Sequence, residues 1–248
     1  MFPIRDHNPS TRTPYVTYAL IAANILVFLV TLPAMLDDLQ MRRLLFEYAL
    51  IPARLDQGQG YHTLLTSVFM HGGFWHIAGN MLFLWIFGDN LEEDFGHIGF
   101  AAFYLASGIG AGLVHVFASP GSMVPTVGAS GAIAGVMGGY LLMYPKAKVD
   151  VLFIFVVIFK IFPIPAWIML GLWFALQVFN GAGSDPSLGG VAYWAHAGGF
   201  LVGFALTIPI WLRRGGTRFW NRTDGHPDHP PARYALQRSS IPRVTRKR

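Results

Sequence analysis

Hydrophobic residues in this chain form long runs separated by short charged clusters, a pattern typical of proteins that cross a membrane. The runs without Asp, Glu, Lys or Arg cover residues 13–36, 57–88, 95–145, 161–184 and 186–212. A helix that crosses the hydrocarbon core of a bilayer needs about 20 mainly apolar residues. Because the run at 95–145 is long enough for two helices, the pattern predicts six. They are at residues 15–36, 73–94, 97–118, 128–144, 163–180 and 191–212.

The predicted fold class is an all-α polytopic membrane protein with six transmembrane helices. Residues 1–14 form a polar N-terminal segment, residues 15–212 the membrane domain, and residues 213–248 a basic tail expected to be disordered. The segment 149–162 is apolar and rich in β-branched residues, and Pro163 interrupts any helix that continues from it. For this segment the pattern leaves three interpretations open: a strand, an interfacial helix or part of the fifth span.

The charged residues set the expected orientation in the membrane. The whole chain carries a net charge of +5, and the tail alone holds ten Lys and Arg against two Asp. Basic residues favour the cytoplasmic side, so the tail is expected there, and six spans bring the N-terminus to the same side. The size of the chain and its bare six-span core indicate the plasma (inner) membrane of a bacterium. Basic residues beside a span are expected to meet the headgroups of the lipid bilayer, and no nucleic-acid partner is predicted.

Candidate chemistry lies where two of the predicted helices begin. Ser130 starts the fourth predicted helix and His196 is near the start of the sixth, so both are expected at a similar depth below the outer surface. Glycines at four-residue spacing accompany both residues, and such stripes let helix backbones approach closely in lipid. His196 shares one helix face with Gly199 and Gly203. The two helices can therefore bring the serine and the histidine together, which is the minimum for a base-activated nucleophile.

A second polar pair decides between a nucleophile and a packing residue. Taken alone, a serine among glycines is more often only a packing residue. The stretch "HIAGN", however, places His76 and Asn80 one turn apart on one face of the second predicted helix. Two neutral donors aimed at one point are what the oxyanion of a tetrahedral intermediate requires. The combination favours the nucleophile.

Together these motifs resemble the rhomboid family of intramembrane serine proteases, over about residues 15–212. The resemblance rests on "GASG" around Ser130, "AHAGGFLVG" around His196, "HIAGN" in the second helix and "MHGGFWH" just before it. It implies a rhomboid-like bundle with Ser130 as nucleophile and His196 as general base. The implied oxyanion donors are His76, Asn80 and the backbone N–H groups of Ser130 and Gly131. The implied structural residues near the site are His71, Gly128, Gly199 and Gly203.

The sequence departs from the family pattern in two places, at one residue pair and at one single residue. Many rhomboids carry a Trp-Arg pair in the first loop, where this chain has His62 and Thr63. Many also place a tyrosine four residues after the serine, stacked on the catalytic histidine, where this chain has Ala134. His196 is therefore expected to be held by another aromatic residue, such as Tyr193 or Trp194.

The resemblance implies a serine endopeptidase that cleaves single-span membrane proteins near the outer face of the membrane. A Ser-His dyad with an acyl-enzyme intermediate is expected, because the helices that carry Ser130 and His196 contain no Asp or Glu. The chain lacks an HExxH motif and cysteines, so no metal or cofactor is predicted. Two alternatives stay open: a catalytically inactive rhomboid-like binding or quality-control protein, and a transporter or channel that uses the polar residues as a path.

Overall fold

The structure, a computed structural model, describes residues 2–155, 158–185, 189–232 and 234. It is mostly helical and contains one small sheet. The helices are α1 (Tyr15–Thr31), α2 (Asp38–Tyr48), α3 (Pro52–Asp56), α4 (Thr63–Thr66), α5 (Phe74–Ala118), α6 (Ser130–Met143), α7 (Ala166–Gly183), α8 (Tyr193–Arg213) and α9 (Thr217–Thr223). The strands are β1 (Phe2–Asp6), β2 (Lys148–Phe155) and β3 (Ile158–Pro165). Short 3-10 turns, Leu32–Leu36 and Ser67–Phe69, follow α1 and α4.

Within the described ranges, four helices are long and apolar enough to cross a membrane. They are α1 together with its 3-10 extension, α5, α7 and α8. The helix that begins at Ser130, α6, is apolar but has 14 residues, about 21 Å at 1.5 Å per residue. It is therefore shorter than the roughly 30 Å hydrocarbon core of a bilayer.

Helix α5 runs without a gap across the two predicted helices at 73–94 and 97–118, but it is not straight. Gly96 has a φ of 69° and a ψ of 163°, which is outside the helical region and costs little only for glycine. A Cβ placed on Gly139 would lie 2.8 Å from Leu91 and 3.3 Å from Phe103. In a straight helix those two residues would be separated by about 18 Å along the axis. The chain therefore folds back at Gly96, and the two halves of α5 lie side by side.

Helices α6 and α8 pack backbone to backbone through their glycines. A Cβ on Gly199 would lie 2.0 Å from the carbonyl oxygen of Gly131, and one on Gly203 would lie 2.1 Å from that of Gly135. No side chain fits at such distances. Gly199 and Gly203, which were predicted to lie at a helix contact, are thus at the place where the helices that carry Ser130 and His196 touch through their backbones.

The segment that the pattern left open forms strands. Strand β2 pairs antiparallel with β1 on one side and with β3 on the other. Asp150 in β2 accepts hydrogen bonds of 2.8 Å from both Arg5 and His7, which ties the N-terminal segment to the sheet. An all-α description omits this sheet, because β1 and β2 are far apart in the sequence. The fifth predicted helix begins at Ala166 rather than at residue 163, since Pro163 and Pro165 belong to β3.

The first part of the basic tail is ordered, although composition alone assigns it to disorder. Phe219 of α9 is fully buried, and the indole N–H of Trp220 donates to the carbonyl of Leu142 at 3.0 Å. Farther along, the backbone N–H of Ala232 donates to the carbonyl of His7 at 2.9 Å. These two aromatic side chains anchor the segment by packing on the bundle. The average composition of the tail does not show this, because basic residues dominate it. The N-terminal strand and the tail therefore meet on the same side of the bundle.

Candidate active site

Ser130 and His196 form a direct hydrogen bond. Nε2 of His196 lies 2.8 Å from Oγ of Ser130, although 66 residues separate the two in sequence. The serine is the first residue of α6 and the histidine is in the first turn of α8, so the glycine contacts between these helices fix the pair. At this distance the serine hydroxyl can donate to the imidazole, as activation of a nucleophile requires.

Two residues of α7, which the sequence analysis did not identify, hold the other side of His196. The carbonyl oxygen of the Gln177 side chain lies 2.9 Å from Nδ1 of His196. The ring of Trp173 lies against the imidazole at a centroid distance of 5.8 Å and an interplanar angle of 30°. The aromatic neighbour is thus Trp173 rather than Tyr193 or Trp194, because α7 turns this face toward α8. The sequence held one signal, since a glutamine inside an apolar span usually faces protein.

Gly128 lies between His76 and Ser130. A Cβ on Gly128 would lie 2.7 Å from Nε2 of His76 and 3.6 Å from Oγ of Ser130. Its φ of +127° is also a conformation that other residues rarely adopt. Any side chain here would push against the imidazole, so glycine allows His76 to approach the serine.

His71 packs against the ring of His76. The two rings meet edge to face, with centroids 5.1 Å apart, and His71 is buried. Burial, together with the charge that His76 can carry, lowers the pKa of His71 to about 4. His71 is therefore neutral near pH 7 and adds no positive charge to this corner of the site. The position agrees with the structural role that the resemblance implied for it.

Asn80 and the first turn of α6 supply unpaired donors. The side-chain nitrogen of Asn80 is buried and has no acceptor among the described residues. The first N–H groups of any α-helix also have no acceptor within the helix, and in α6 these belong to Ser130 and Gly131. Donors of this kind are available to an incoming carbonyl oxygen.

The serine–histidine pair and the side chains of His76 and Asn80 open onto one cavity of about 620 Å³. Its lining includes Ser130, His196, His76 and Asn80, together with His115 from the second half of α5. Nε2 of His115 is 3.0 Å from the hydroxyl of Thr126. The sequence analysis identified neither of these two residues. The cavity can admit water as well as an extended peptide segment. Among the described residues, no three His, Asp or Glu side chains gather where a metal ion could bind.

The first loop is braced without a Trp-Arg pair. The last carbonyls of α2 have no partners within that helix. The imidazole of His62 lies 2.8 Å from the carbonyl of Glu47, and the hydroxyl of Thr66 donates to that of Tyr48 at the same distance. Arg54 donates to the carbonyl of Phe46 and lies over its ring. Side chains that cap the end of α2 therefore hold the loop above the cavity.

Comparison with known proteins decides the family. The profile of the Rhomboid domain matches residues 58–213, a stretch that contains α4 to α8 and every candidate site residue. The chain belongs to the rhomboid family. As a rhomboid with several apolar helices, it is a multi-pass membrane protein.

Several curated relatives are similar over most of this rhomboid chain. It is 33% identical over 200 residues to "Rhomboid protein 1, mitochondrial" of Saccharomyces cerevisiae, which covers 78% of this chain and 52% of the relative. It is 32% identical over 203 residues to "Rhomboid protease GluP" of Bacillus subtilis, with 82% and 36% covered. "Rhomboid-like protein 11, chloroplastic" of Arabidopsis thaliana is 32% identical over 162 residues, with 61% and 52% covered. The chain spans about half, or less, of the length of these relatives.

Proposed function

We propose that this protein is an intramembrane serine endopeptidase that uses Ser130 and His196 as a catalytic dyad. The observation that carries the proposal is the 2.8 Å hydrogen bond between Oγ and Nε2 at the wall of a cavity. Family membership supports it, because one relative is named a protease. An inactive rhomboid-like protein or a transporter would have no need of this bond between a serine and a base.

The proposed reaction is acyl transfer through Ser130. Oγ attacks the scissile carbonyl carbon while Nε2 of His196 accepts the hydroxyl proton. Asn80, His76 and the N–H groups of Ser130 and Gly131 bind the oxyanion of the tetrahedral intermediate. His196 then gives its proton to the leaving amine, which leaves an acyl-enzyme on Ser130. Water from the cavity, deprotonated by His196, hydrolyses this ester and restores the serine.

In the proposed membrane arrangement the chain crosses six times. The spans are α1 with its 3-10 extension, each half of α5 on either side of Gly96, α6, α7 and α8. Contact between His7 and Ala232 supports an even number of crossings, since the two ends of the chain meet. The basic residues then favour a cytoplasmic location for both ends. We place the protein in a bacterial plasma membrane, although the yeast relative is named as mitochondrial.

The proposed substrates are single-span membrane proteins. In this arrangement Ser130 begins a short helix, so the dyad lies below the outer surface of the membrane. A substrate helix must unwind before its carbonyl carbon reaches Ser130, because helical backbone is shielded by its own hydrogen bonds. Cleavage is therefore expected near the outer end of the substrate span, at helix-breaking residues.

The test is cleavage of a single-span test substrate by the purified protein in liposomes. Ser130→Ala and His196→Ala are expected to lower kcat by about 10³-fold or more, since each removes a reacting group. Only proteins with an intact Ser130 should bind a fluorophosphonate covalently. Ser184→Ala is the matched control: this serine, just after the end of α7, lines the same cavity, but its hydroxyl donates to the carbonyl of Gly181 at 2.9 Å. Cleavage by Ser130→Ala at the wild-type rate would refute the proposal.

A further inference from the structure

Gln177 is a buried polar residue that has no role in the proposed reaction steps. The residue is 8% exposed in a mostly apolar helix, α7. The amide nitrogen donates to the carbonyl of Trp173, one turn earlier on α7, at 3.3 Å. Because the nitrogen is used in this way, the amide oxygen is the atom that faces His196, at 2.9 Å from Nδ1.

This contact selects one tautomer of the imidazole. An amide oxygen can only accept a hydrogen bond, so Nδ1 of His196 must carry the hydrogen. A neutral imidazole has one N–H, so Nε2 then presents its lone pair toward Ser130. The opposite tautomer would put two acceptors together at Nδ1, and its Nε2–H would donate to Oγ of Ser130. Nε2 could then not accept the serine proton.

We infer that Gln177 is a positioning residue, which holds His196 in the tautomer and orientation that can accept the proton of Ser130. The inference rests on the proposed serine protease function. In other serine hydrolases a carboxylate orients the base, but α6, α7 and α8 contain no Asp or Glu. A neutral amide performs the same selection without placing a charge in the membrane. Trp173 complements it by packing against the ring face.

Two variants separate positioning from simple packing. Gln177→Met keeps the length and volume of the side chain but removes the acceptor. Gln177→Glu keeps an acceptor oxygen, whether the new carboxyl group is neutral or ionised. The positioning role predicts that Met lowers kcat about 10- to 100-fold with KM changed less than about twofold, as is typical when an orienting partner is lost. Glu should stay within about threefold of wild type.

A packing role predicts the opposite order. Met would then be nearly as active as wild type, and Glu would be the damaging change, because it adds a costly acid to the span. Leu176→Met is the matched control, because the neighbouring Leu176 is about half exposed on α7. It should leave both kcat and KM unchanged.

The tautomer can also be measured without any cleavage. In protein with ¹⁵N-labelled histidine, wild type and Gln177→Glu should show His196 with a protonated Nδ1 and an unprotonated Nε2. Gln177→Met should show a mixture of tautomers, and His196→Ala assigns the signals. A single unchanged tautomer together with full activity in Gln177→Met would overturn the inference while the protease function stands. If wild type itself does not cleave, or Ser130→Ala does, the proposed function fails whatever the tautomer is.

Discussion

The two ends of helix α6 use polar residues in opposite ways. At its N-terminal end, Ser130, His196 and Asn80 are neutral groups beside a cavity, and the Asn80 nitrogen has no acceptor among the described residues. At its C-terminal end the hydroxyl of Tyr140 donates to Asp6 at 2.8 Å, and that of Tyr144 donates to Asp94. Both tyrosines are buried, and their partners come from the N-terminal strand and from α5.

We infer from these contacts that the N-terminal end of α6 serves binding and the C-terminal end stability. Both tyrosine hydroxyls at the C-terminal end are already paired, and Arg214 adds an ion pair of 2.5 Å with Asp94. Breaking such a bond leaves a buried polar group unsatisfied, which lowers the free energy of unfolding. At the N-terminal end, the side-chain nitrogen of Asn80 has no acceptor in the part of the chain that the structure describes, so it stays available to a bound group. Substitutions at the two ends should therefore affect different measurements.

The largest expected effect comes from the contact that joins α6 to α8 along its length. In Gly203→Ala the new Cβ would lie 2.1 Å from an oxygen and 2.3 Å from the Cα of Gly135, so the helices must separate. We expect the free energy of unfolding to fall by about 3 kcal/mol, at the upper end for overpacked sites. Cleavage should be lost as well, because the Ser130–His196 bond crosses the same interface. Thermal unfolding in detergent and cleavage in liposomes measure the two effects.

Gly171→Ala is the control for that variant. A Cβ on Gly171 of α7 has nothing within 4 Å. The protein should be unchanged or stabilised by up to about 1 kcal/mol, as for Gly→Ala in an open helix. Equal behaviour of the two variants would contradict the close contact between α6 and α8.

The next prediction compares the effects on kcat and on thermal midpoint of substituting two asparagines of α5. Asn80→Ala should lower kcat about 10²- to 10³-fold, as loss of one oxyanion donor does, with little change in the thermal midpoint. Asn90 is buried near the other end of α6, where its amide donates to the carbonyl of Asn8. Asn90→Ala should lower the thermal midpoint and leave kcat nearly unchanged. Steady-state cleavage and thermal unfolding of both variants would show whether the two ends really divide binding from stability.

The smallest effect on cleavage is expected for Asp6 at the C-terminal end of α6, where the prediction is a dependence of stability on pH. Burial raises the pKa of Asp6 to about 6, against the opposing effect of the Tyr140 hydrogen bond. Because the folded state favours the protonated acid, its stability relative to the unfolded chain falls as pH rises from about 4 to 6. Asp6→Asn should therefore be more stable than wild type at pH 7.5, by at most about 3 kcal/mol.

At pH 4 the same substitution should make little difference, because the wild-type acid is then protonated in the folded chain. The measurement is the difference in thermal midpoint between the two proteins at each pH. A difference that does not change with pH would show that the carboxyl group is not the cause. Cleavage at pH 7.5 should be unaffected, since Asp6 lies at the end of α6 away from Ser130.

Much of the site could be predicted because hydropathy determines depth. Long apolar runs set the helices, and the position of Ser130 and His196 at the starts of two helices on the same side set their common level. Glycine spacing then indicated which faces meet. These local features made a close Ser130–His196 pair geometrically plausible, whereas the approach of His76 through Gly128 is visible only in the structure. The catalytic roles of these residues stay a prediction until cleavage is measured.

From the sequence alone come the apolar helices, their order and the polar residues at their ends, because burial in an apolar environment acts on each segment separately. Tertiary structure decided how each helix is rotated about its axis and which distant segments pair. Helix α7 is apolar on nearly all sides, so hydropathy could not show that Gln177 and Trp173 face His196. The pairing of β1 with β2 and the docking of Phe219 against Tyr144 join segments far apart in the sequence, which no local pattern contains.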